Sequence, residues 1–316
     1  MTRKVVVTGG AGFVGSHVAE AYLEAGYDVT VLDDLSTGRR EFVPRAARFV
    51  HADVRAPEAR QLLAGGGFTL VCHHAAQMDV RRSVADPVFD AGVNVIGLLN
   101  LLEGARAGGV RRVVFASSGG VVYGESARLP LIETEAKLPI SPYGVAKLAS
   151  EHYLAAFTHL YGIEAVALRY SNVYGPRQSA HGEAGVVAIF AGKVLKGEPL
   201  TIFGDGDQTR DMVYVKDVAA ANVAASERPL PPPQPGDIDA RAFNVGTGVE
   251  TSVNALAAAL AAAAGRAADI RRAPERPGEL RRNALAVEKA ARVLGWRPRT
   301  TLAQGLQLTL RAVAED

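Results

Sequence analysis

Cysteine is nearly absent from this 316-residue chain: Cys72 stands alone, beside a single tryptophan and 6% aromatic residues. One thiol can neither close an internal disulfide nor build a cysteine-based metal site, so no disulfide framework supports the fold and a reducing cytosol is the expected compartment. A surplus of either charge is also missing. Lys+Arg number 35 against 33 Asp+Glu, a net charge of +2, which is too little for the phosphate attraction that dominates nucleic-acid binding. The longest apolar run, Ala255 to Ala264, is roughly half of the ~20 residues that cross a bilayer. Met1-Thr2-Arg3-Lys4 leads straight into a strand pattern without the apolar region of a signal peptide. Neither nucleic acid nor a membrane is therefore an expected partner. With 48% hydrophobic and 22% charged residues, the composition is that of a globular protein with a full core.

The first half alternates short apolar runs with longer amphipathic stretches. Val5-Val6-Val7, Val29 to Leu32, Arg48-Phe49-Val50, Leu70-Val71-Cys72, Val113-Val114-Phe115 and Ala165 to Leu168 all read as strands. Continuous apolar strands separated by helices indicate a parallel sheet covered on both faces, hence a doubly wound α/β (Rossmann-type) domain. After about residue 173 the alternation weakens. Leu200 to Phe203 and Met212 to Val215 lie among turns such as Gly204-Asp205-Gly206-Asp207. The expected division is a first domain over 1–172 and a smaller mixed α/β region over 173–316, with some segments of the latter returning to the first. Five prolines between Pro229 and Pro235 preclude regular structure and predict a surface loop.

Thr8 closes the first strand and is followed by Gly9-Gly10-Ala11-Gly12-Phe13-Val14-Gly15-Ser16, which opens a helix. Glycines here let the backbone turn tightly and approach a pyrophosphate at the positive helix N-terminus. Asp33 ends the second strand, 18 residues past Gly15, where a carboxylate accepts from ribose hydroxyls and repels a 2′-phosphate. The pattern points to a dinucleotide, NAD rather than NADP. Arg39 and Arg40 follow and read as a solvated loop.

A second constellation is Ser141-Pro142-Tyr143-Gly144-Val145-Ala146-Lys147. Ser141 suits an N-cap and Pro142 the first helical position, which puts Tyr143 and Lys147 four apart on one helix face. An ammonium and a cationic nicotinamide together favour the phenolate, making Tyr143 a usable general base.

The glycine loop, Asp33 and the Tyr143/Lys147 pair resemble the extended short-chain dehydrogenase/reductase family, and within it the nucleotide-sugar 4-epimerases. The resemblance spans essentially the whole chain and implies NAD-dependent 4-epimerisation of a UDP-hexose, extending to N-acetyl forms, by a homodimer joined through helices near residues 87–108 and 142–161. It also implies a hydroxyl after the fifth strand that assists the tyrosine. Phe115-Ala116-Ser117-Ser118-Gly119-Gly120 matches that segment; Ser118 is the better match, with Ser117 the alternative because the segment is one residue longer than in many relatives.

By the same resemblance Gly9, Gly12, Phe13, Val14, Gly15, Asp53, Val54, Ala75, Ala76, Asn94 and Tyr170 join Asp33, Tyr143 and Lys147 around the cofactor. Asn172, Gly185, Val186, Thr201, Phe203, Arg210, Arg276 and Glu279 join Ser118 around the nucleotide sugar, with the two arginines gripping the diphosphate. Asn283, seven beyond Arg276, falls where relatives confined to plain hexoses carry a tyrosine wall, unless a one-residue shift puts Ala284 there. His73 and His74 read as strand-end packing and no metal is expected. Three alternatives stay open: a UDP-glucuronate 4-epimerase, with Arg177 or Arg81 meeting the carboxylate; a dehydratase or decarboxylase; and a non-catalytic dinucleotide sensor. Dehydratases carry an acid–base pair after the catalytic hydroxyl residue, where this chain has Gly119 and Gly120.

Overall fold

The structure, a computed structural model, describes residues 3–126, 128–179, 185–275 and 280–315. Its strands are β1 (Lys4–Thr8), β2 (Asp28–Asp33), β3 (Arg48–His51), β4 (Leu70–His73), β5 (Arg112–Ser118), β6 (Glu164–Tyr170), β7 (Asn172–Tyr174), β8 (Leu200–Phe203), β9 (Thr209–Arg210), β10 (Met212–Tyr214), β11 (Ala242–Val245), β12 (Thr251–Ser252) and β13 (Ile270–Ala273). Seven of them form one parallel sheet in the order β11-β6-β5-β4-β1-β2-β3. All six expected strands of the first half are present. The order reverses direction between β1 and β4, and in such sheets the crevice outside the strand carboxyl ends at that switch point is where ligands bind.

The helices are α1 (Phe13–Glu24), α2 (Pro57–Gly65), α3 (Val80–Ala85), α4 (Pro87–Ala91), α5 (Gly97–Ala107), α6 (Pro142–Tyr161), α7 (Val186–Lys196), α8 (Val215–Glu227), α9 (Val253–Ala263), α10 (Glu288–Leu294) and α11 (Leu302–Glu315). Strand alternation decides which helix covers which face, because successive side chains point to opposite sides. Val5, Val7, Val29, Val31, Val114 and Val166 pack with α1, α8 and α10. Val6, Val71, Val113 and Phe115 face the other way, onto α2, α5 and α6. A third core, Val187, Phe190, Ile202, Leu256, Leu260 and Leu306 among others, belongs to the smaller region.

Between α4 and α5 lies a π-helical turn, Gly92–Ile96. Such bulges inside helices are frequent at functional sites. The continuous helix Pro87–Ala107 is long and apolar enough, by length and composition alone, to cross a membrane. Leu98, Leu101, Leu102 and Ala105 are nevertheless in the core, and a core helix passes the same test.

The smaller region is not a separate body. Its helix α8 lies on α1, with the Tyr22 hydroxyl bonded to Ser226 Oγ at 2.6 Å, and its strand β11 extends the main sheet beside β6. The segment Pro229 to Pro235 has no regular structure and lies at the surface, as its prolines require.

Beneath the carboxyl end of β5 sits a buried ion pair. Arg169 is fully buried, and its Nη2 is 2.6 Å from Glu151 Oε2 and 2.8 Å from Asp239 Oδ1. Its Nη1 donates to the Tyr123 hydroxyl and the Glu133 carbonyl. Removing one partner of such a pair leaves a buried charge uncompensated, which costs about 3–5 kcal/mol. Arg169→Met is therefore expected to lower unfolding stability in urea by about that amount, and Arg169→Met/Glu151→Leu to recover more than half of the loss. A single variant within ~1 kcal/mol of the parent would show the pair to be dispensable.

Candidate active site

The loop between β1 and α1 is built by close backbone approach. Gly9 has φ +68°, and a Cβ there would lie 2.5 Å from the Ala75 amide nitrogen. A Cβ on Gly15 would drive into the Gly9 carbonyl. Gly12 caps α1 without a side-chain hydrogen bond, and the first turn carries no acidic residue, so the opening amides of α1 face the crevice with their positive end uncompensated. Phe13 and Val14 are partly buried against the core of the smaller region.

Asp33 ends β2 at the rim of the same crevice. Its Oδ2 accepts from the Ala11 amide at 2.9 Å and its Oδ1 from the Leu35 amide at 2.8 Å. Burial pushes the carboxyl above its ordinary value, while these two N–H groups hold it down. Each oxygen keeps a further lone pair for a ribose hydroxyl. Arg39 pairs with Glu41, and Arg40 lies over the Phe49 ring at 4.5 Å, so both are occupied at the surface. The glycine cradle, the open helix end and the carboxylate together fit the pyrophosphate and ribose of NAD.

Farther along the crevice, Asp53 is held by the Arg55 side chain, which keeps its carboxyl below the usual range. Val54 is buried, and a Cβ on Gly97 would sit 2.7 Å from its Cγ2. The Ala75 amide donates to Thr8 Oγ1 at 3.2 Å, and Ala76 follows it, half-buried. In the π-helical turn, Asn94 accepts from the Gln77 amide at 3.0 Å and donates to the Gln77 carbonyl at 2.9 Å. Asn94 thus fastens the segment after β4, and its own carbonyl receives the Ser150 hydroxyl of α6 at 3.2 Å.

Helix α6 starts as its sequence dictates: Ser141 Oγ accepts from the Gly144 amide at 3.2 Å and Pro142 takes the first position. Lys147 is buried. Its Nζ donates to the Ala116 carbonyl at 2.8 Å and lies 5.7 Å from the centre of the Tyr143 ring. Burial pulls this ammonium down to about 8, with Asp90 and Glu151 opposing. In the protein without cofactor, desolvation, reinforced by Asp90, raises the Tyr143 phenol. The lowering expected from sequence involves a cationic nicotinamide as well as the ammonium, because positive charge near a phenol favours the phenolate.

The two serines differ in their contacts with the buried ion pair. Ser117 is buried, pairs across the sheet with Arg169, and donates to Glu151 Oε1 at 2.5 Å. It is thereby bound to the helix-covered face. Ser118, next along the strand and half-buried at the strand carboxyl end, is the hydroxyl left for the crevice. Beyond it, a Cβ on Gly119 would meet Leu285 Cδ1 at 2.5 Å and Cδ2 at 2.9 Å, and Leu285 is fully buried. A side chain at 119 would require the Leu285 methyls to move.

Tyr170 is buried, its hydroxyl bonded to Asn222 and to His74 Nε2 at 3.1 Å. It supports the crevice floor through its ring, with its hydroxyl already engaged. His73 bonds Thr8 Oγ1 at 2.6 Å, and burial pushes both His73 and His74 down to about 3, so they are neutral. Among the described residues no three His, Cys, Asp or Glu side chains cluster as for a metal ion.

On the substrate side Asn172 opens β7, Thr201 and Phe203 lie on β8, and Arg210 lies on β9. Thr201 Oγ1 accepts from Lys193 at 3.4 Å, and Arg210 Nη1 donates to the Thr209 carbonyl at 2.8 Å. Gly185 caps α7 without a side-chain bond and Val186 begins it, with the Gln178 side chain lying against Gly185. Arg276 and Glu279 lie outside the described residues. Asn283 is buried and donates from Nδ2 to the Gly119 carbonyl at 3.3 Å, while its Oδ1 has no partner. That contact places Asn283, and not only its neighbour Ala284, beside the catalytic strand end. Arg177 is occupied: it donates to Ser16 Oγ at 3.1 Å and to Glu20 at 2.5 Å.

Two buried carboxylates have no counterpart in the sequence reading. Asp211 accepts from Thr247 Oγ1 at 2.6 Å and from the amides of Thr247, Gly248 and Leu285 at 2.8, 3.0 and 3.1 Å. Asp90 accepts from Gln77 and Asn94. The spacing of Asp90 and Asn94, four apart on one helix, is the available signal for the second.

A family model, that of the NAD dependent epimerase/dehydratase family, matches residues 5–246. The UDP-glucose 4-epimerase of Mycolicibacterium smegmatis is 45% identical over 312 residues, covering 97% of each chain. Among solved structures, the UDP-glucose 4-epimerase of Thermotoga maritima with UDP-glucose is 43% identical, with a TM-score of 0.92 and 99% of each chain covered. The Thermus thermophilus UDP-glucose 4-epimerase in complex with NAD is 45% identical, with a TM-score of 0.90 over 98% of this chain and 99% of that one. On sequence, fold and site together, this chain belongs to the NAD-dependent epimerase/dehydratase family.

Proposed function

We propose that this protein is an NAD-dependent UDP-glucose 4-epimerase. The observation that carries the reading is the strand end at Ser118: a half-buried hydroxyl beside the Tyr143/Lys147 helix, followed by two glycines where a dehydratase would need an acid and a base. Tyr143, assisted by Ser118, takes the proton of the sugar 4-hydroxyl and later returns one. Lys147 holds the nicotinamide ribose and adds positive charge at the phenol. The chemistry NAD supplies when bound is reversible hydride acceptance at carbon 4, so the reaction carries no net oxidation. Dehydration across carbons 5 and 6 needs an acid and a base where Gly119 and Gly120 stand, and neither glycine transfers a proton. The uronate reading loses Arg177 to Glu20 and Ser16. A non-catalytic sensor has no use for the intact Tyr/Lys pair.

Two further readings follow from particular residues. Asn283 is much smaller than tyrosine and touches the catalytic strand end, so the sugar 2-position has room for an N-acetyl group and UDP-N-acetylglucosamine is a second substrate. The helix Pro87–Ala107 is apolar on its solvent side as well as its core side: Val88 is 81% and Ile96 57% exposed, with Val84, Val145 and Leu160 also exposed on α3 and α6. Contiguous exposed apolar surface of this kind marks an association site, here the face of a homodimer. A lone buried cysteine suits a cytosolic location.

Three measurements test these readings. Tyr143→Phe is expected to lower UDP-glucose to UDP-galactose conversion by roughly a hundred- to ten-thousand-fold, the range of general acid–base catalysis, with NAD affinity retained; conversion near the parent rate removes Tyr143 from the reaction. Asn283→Tyr is expected to abolish turnover of UDP-N-acetylglucosamine while sparing UDP-glucose. Equal specificity-constant ratios in parent and variant would sink the size gate. Light scattering of the eluting protein is expected to give twice the chain mass, and Val88→Asp/Leu160→Asp to give the single-chain mass; a parent that elutes as one chain rules the dimer out.

A further inference from the structure

Helix α4 carries a carboxylate that the reaction as written does not use. Asp90 is 1% exposed. Its Oδ1 accepts from Gln77 Nε2 and Asn94 Nδ2, both at 2.9 Å, and its buried Oδ2 has no hydrogen-bond partner among the described residues. Leaving a buried carboxylate oxygen unmatched is costly unless another charge compensates it. The place of that charge follows from the helix contacts. Asn94, one turn beyond Asp90, receives the Ser150 hydroxyl of α6, and Lys147 and Tyr143 lie one and two turns before Ser150 on the same helix. The stretch bearing Asp90 therefore runs alongside the stretch bearing the catalytic pair.

Of the described carboxylates on the elements packed around Lys147, Asp90 is the buried one not matched by a cation; Asp79 and Asp86, which cap α3 and α4 by accepting from backbone amides, are half-buried and exposed respectively. Glu151 on α6 is bound to Arg169 and Ser117. His73 and His74 at the end of β4 are neutral. Tyr143 is a neutral phenol until it reacts. On α3, Arg81 and Arg82 are exposed, and Arg82 lies over the Phe89 ring at 4.0 Å. Lys147 itself makes one hydrogen bond, to the Ala116 carbonyl.

Resting on the epimerase reading, we infer that Asp90 is a positioning residue of this active site: its buried carboxylate is the counter-charge that keeps Lys147 an ammonium and sets the pH window in which the Tyr143/Lys147 pair works. The sign of its effect is the same on both groups. A nearby negative charge favours the protonated ammonium and disfavours the phenolate, and Asp90 opposes the downward pull on Lys147 while adding to the upward push on Tyr143. The lysine gains charge, and the tyrosine needs the positive nicotinamide to ionise. In this way the base is armed chiefly when cofactor is bound.

Asp90→Asn tests it, because the amide retains an acceptor for Gln77 and Asn94. Both limbs of the pH profile of kcat/KM are expected to move to lower pH by about one unit, the lower end of shifts caused by a close charge. Tyrosinate absorbance of the NAD-loaded protein without substrate, taken against Tyr143→Phe in the same background, should move by a similar amount. The second variant, Gln77→Glu/Asp90→Asn, transposes carboxylate and amide across one hydrogen bond and should bring both limbs back towards the parent. A loss of rate at every pH with limbs and absorbance unmoved would overturn the inference. So would a transposed variant whose limbs stay displaced, and that comparison alone decides if Asp90→Asn does not fold. Should no nucleotide sugar be converted by the parent, the epimerase reading fails while the absorbance titration still reports on Asp90.

Discussion

The glycine loop that fits a dinucleotide is organised by one close backbone contact, Gly9 against Ala75. Strands β1 and β4 are neighbours in the sheet, but their following segments leave in opposite directions, and the crevice opens between them. Gly9 and Ala75 approach so closely that no Cβ fits. Because the segments meet there, the amides of α1, the carboxylate of Asp33 and the hydroxyl of Thr8 all border one space. A side chain at position 9 or 15 would separate the segments, and the cradle for a pyrophosphate would no longer exist.

Around that space the protein manages charge by burial. Arg169 and Glu151 neutralise one another beneath β5, which fixes Ser117 and leaves Ser118 to the crevice. Lys147 is instead kept near the point where it would lose its proton, at about 8, and the Tyr143 phenol is kept protonated by desolvation. A site that ionised its tyrosine unaided would hold a phenolate in a poorly solvated crevice, at high cost. Raising the phenol couples its ionisation to the positive nicotinamide ring. The same burial that supplies stability below the strand ends thus supplies the conditional reactivity above them.

Much of this is legible from sequence because short-range rules govern it. The strand runs, the Ser141 cap, the Pro142 start and the four-residue spacing of Tyr143 and Lys147 each depend on a few adjacent residues, and all are found as expected. What is not legible depends on distant partners. Nothing near Ser117 or Ser118 distinguishes them; Glu151, 34 positions later, does. Arg177 reads as a free cation until α1 brings Glu20 to it, 157 positions earlier. The upward push on the Tyr143 phenol in the protein without cofactor is not legible either, because spacing reveals a neighbouring ammonium but neither burial nor the distant Asp90. The sequence leads one to expect some later segments to return to the first domain, but which ones, β11 beside β6 and α8 on α1, is decided by long-range contacts.

Asp211 shows how the two regions act as one site despite that distance in sequence. Its carboxylate gathers amides from the turn after β11 and from Leu285, and its carbonyl accepts from the Asn172 amide at 2.9 Å. Leu285 is the side chain that closes Gly119, and Asn283, two residues before it, reaches the Gly119 carbonyl. Arg210 is the residue before Asp211, and Asn172 is two beyond the end of β6. A single buried acid therefore fixes, relative to one another, the strand end that holds the catalytic hydroxyl and three segments assigned to the substrate. Burial raises its carboxyl and four donated hydrogen bonds oppose that rise, so the acid stabilises the assembly only while all those segments are in place. The proposed catalytic strand end and the segments proposed for the sugar are for that reason tied together by one contact set.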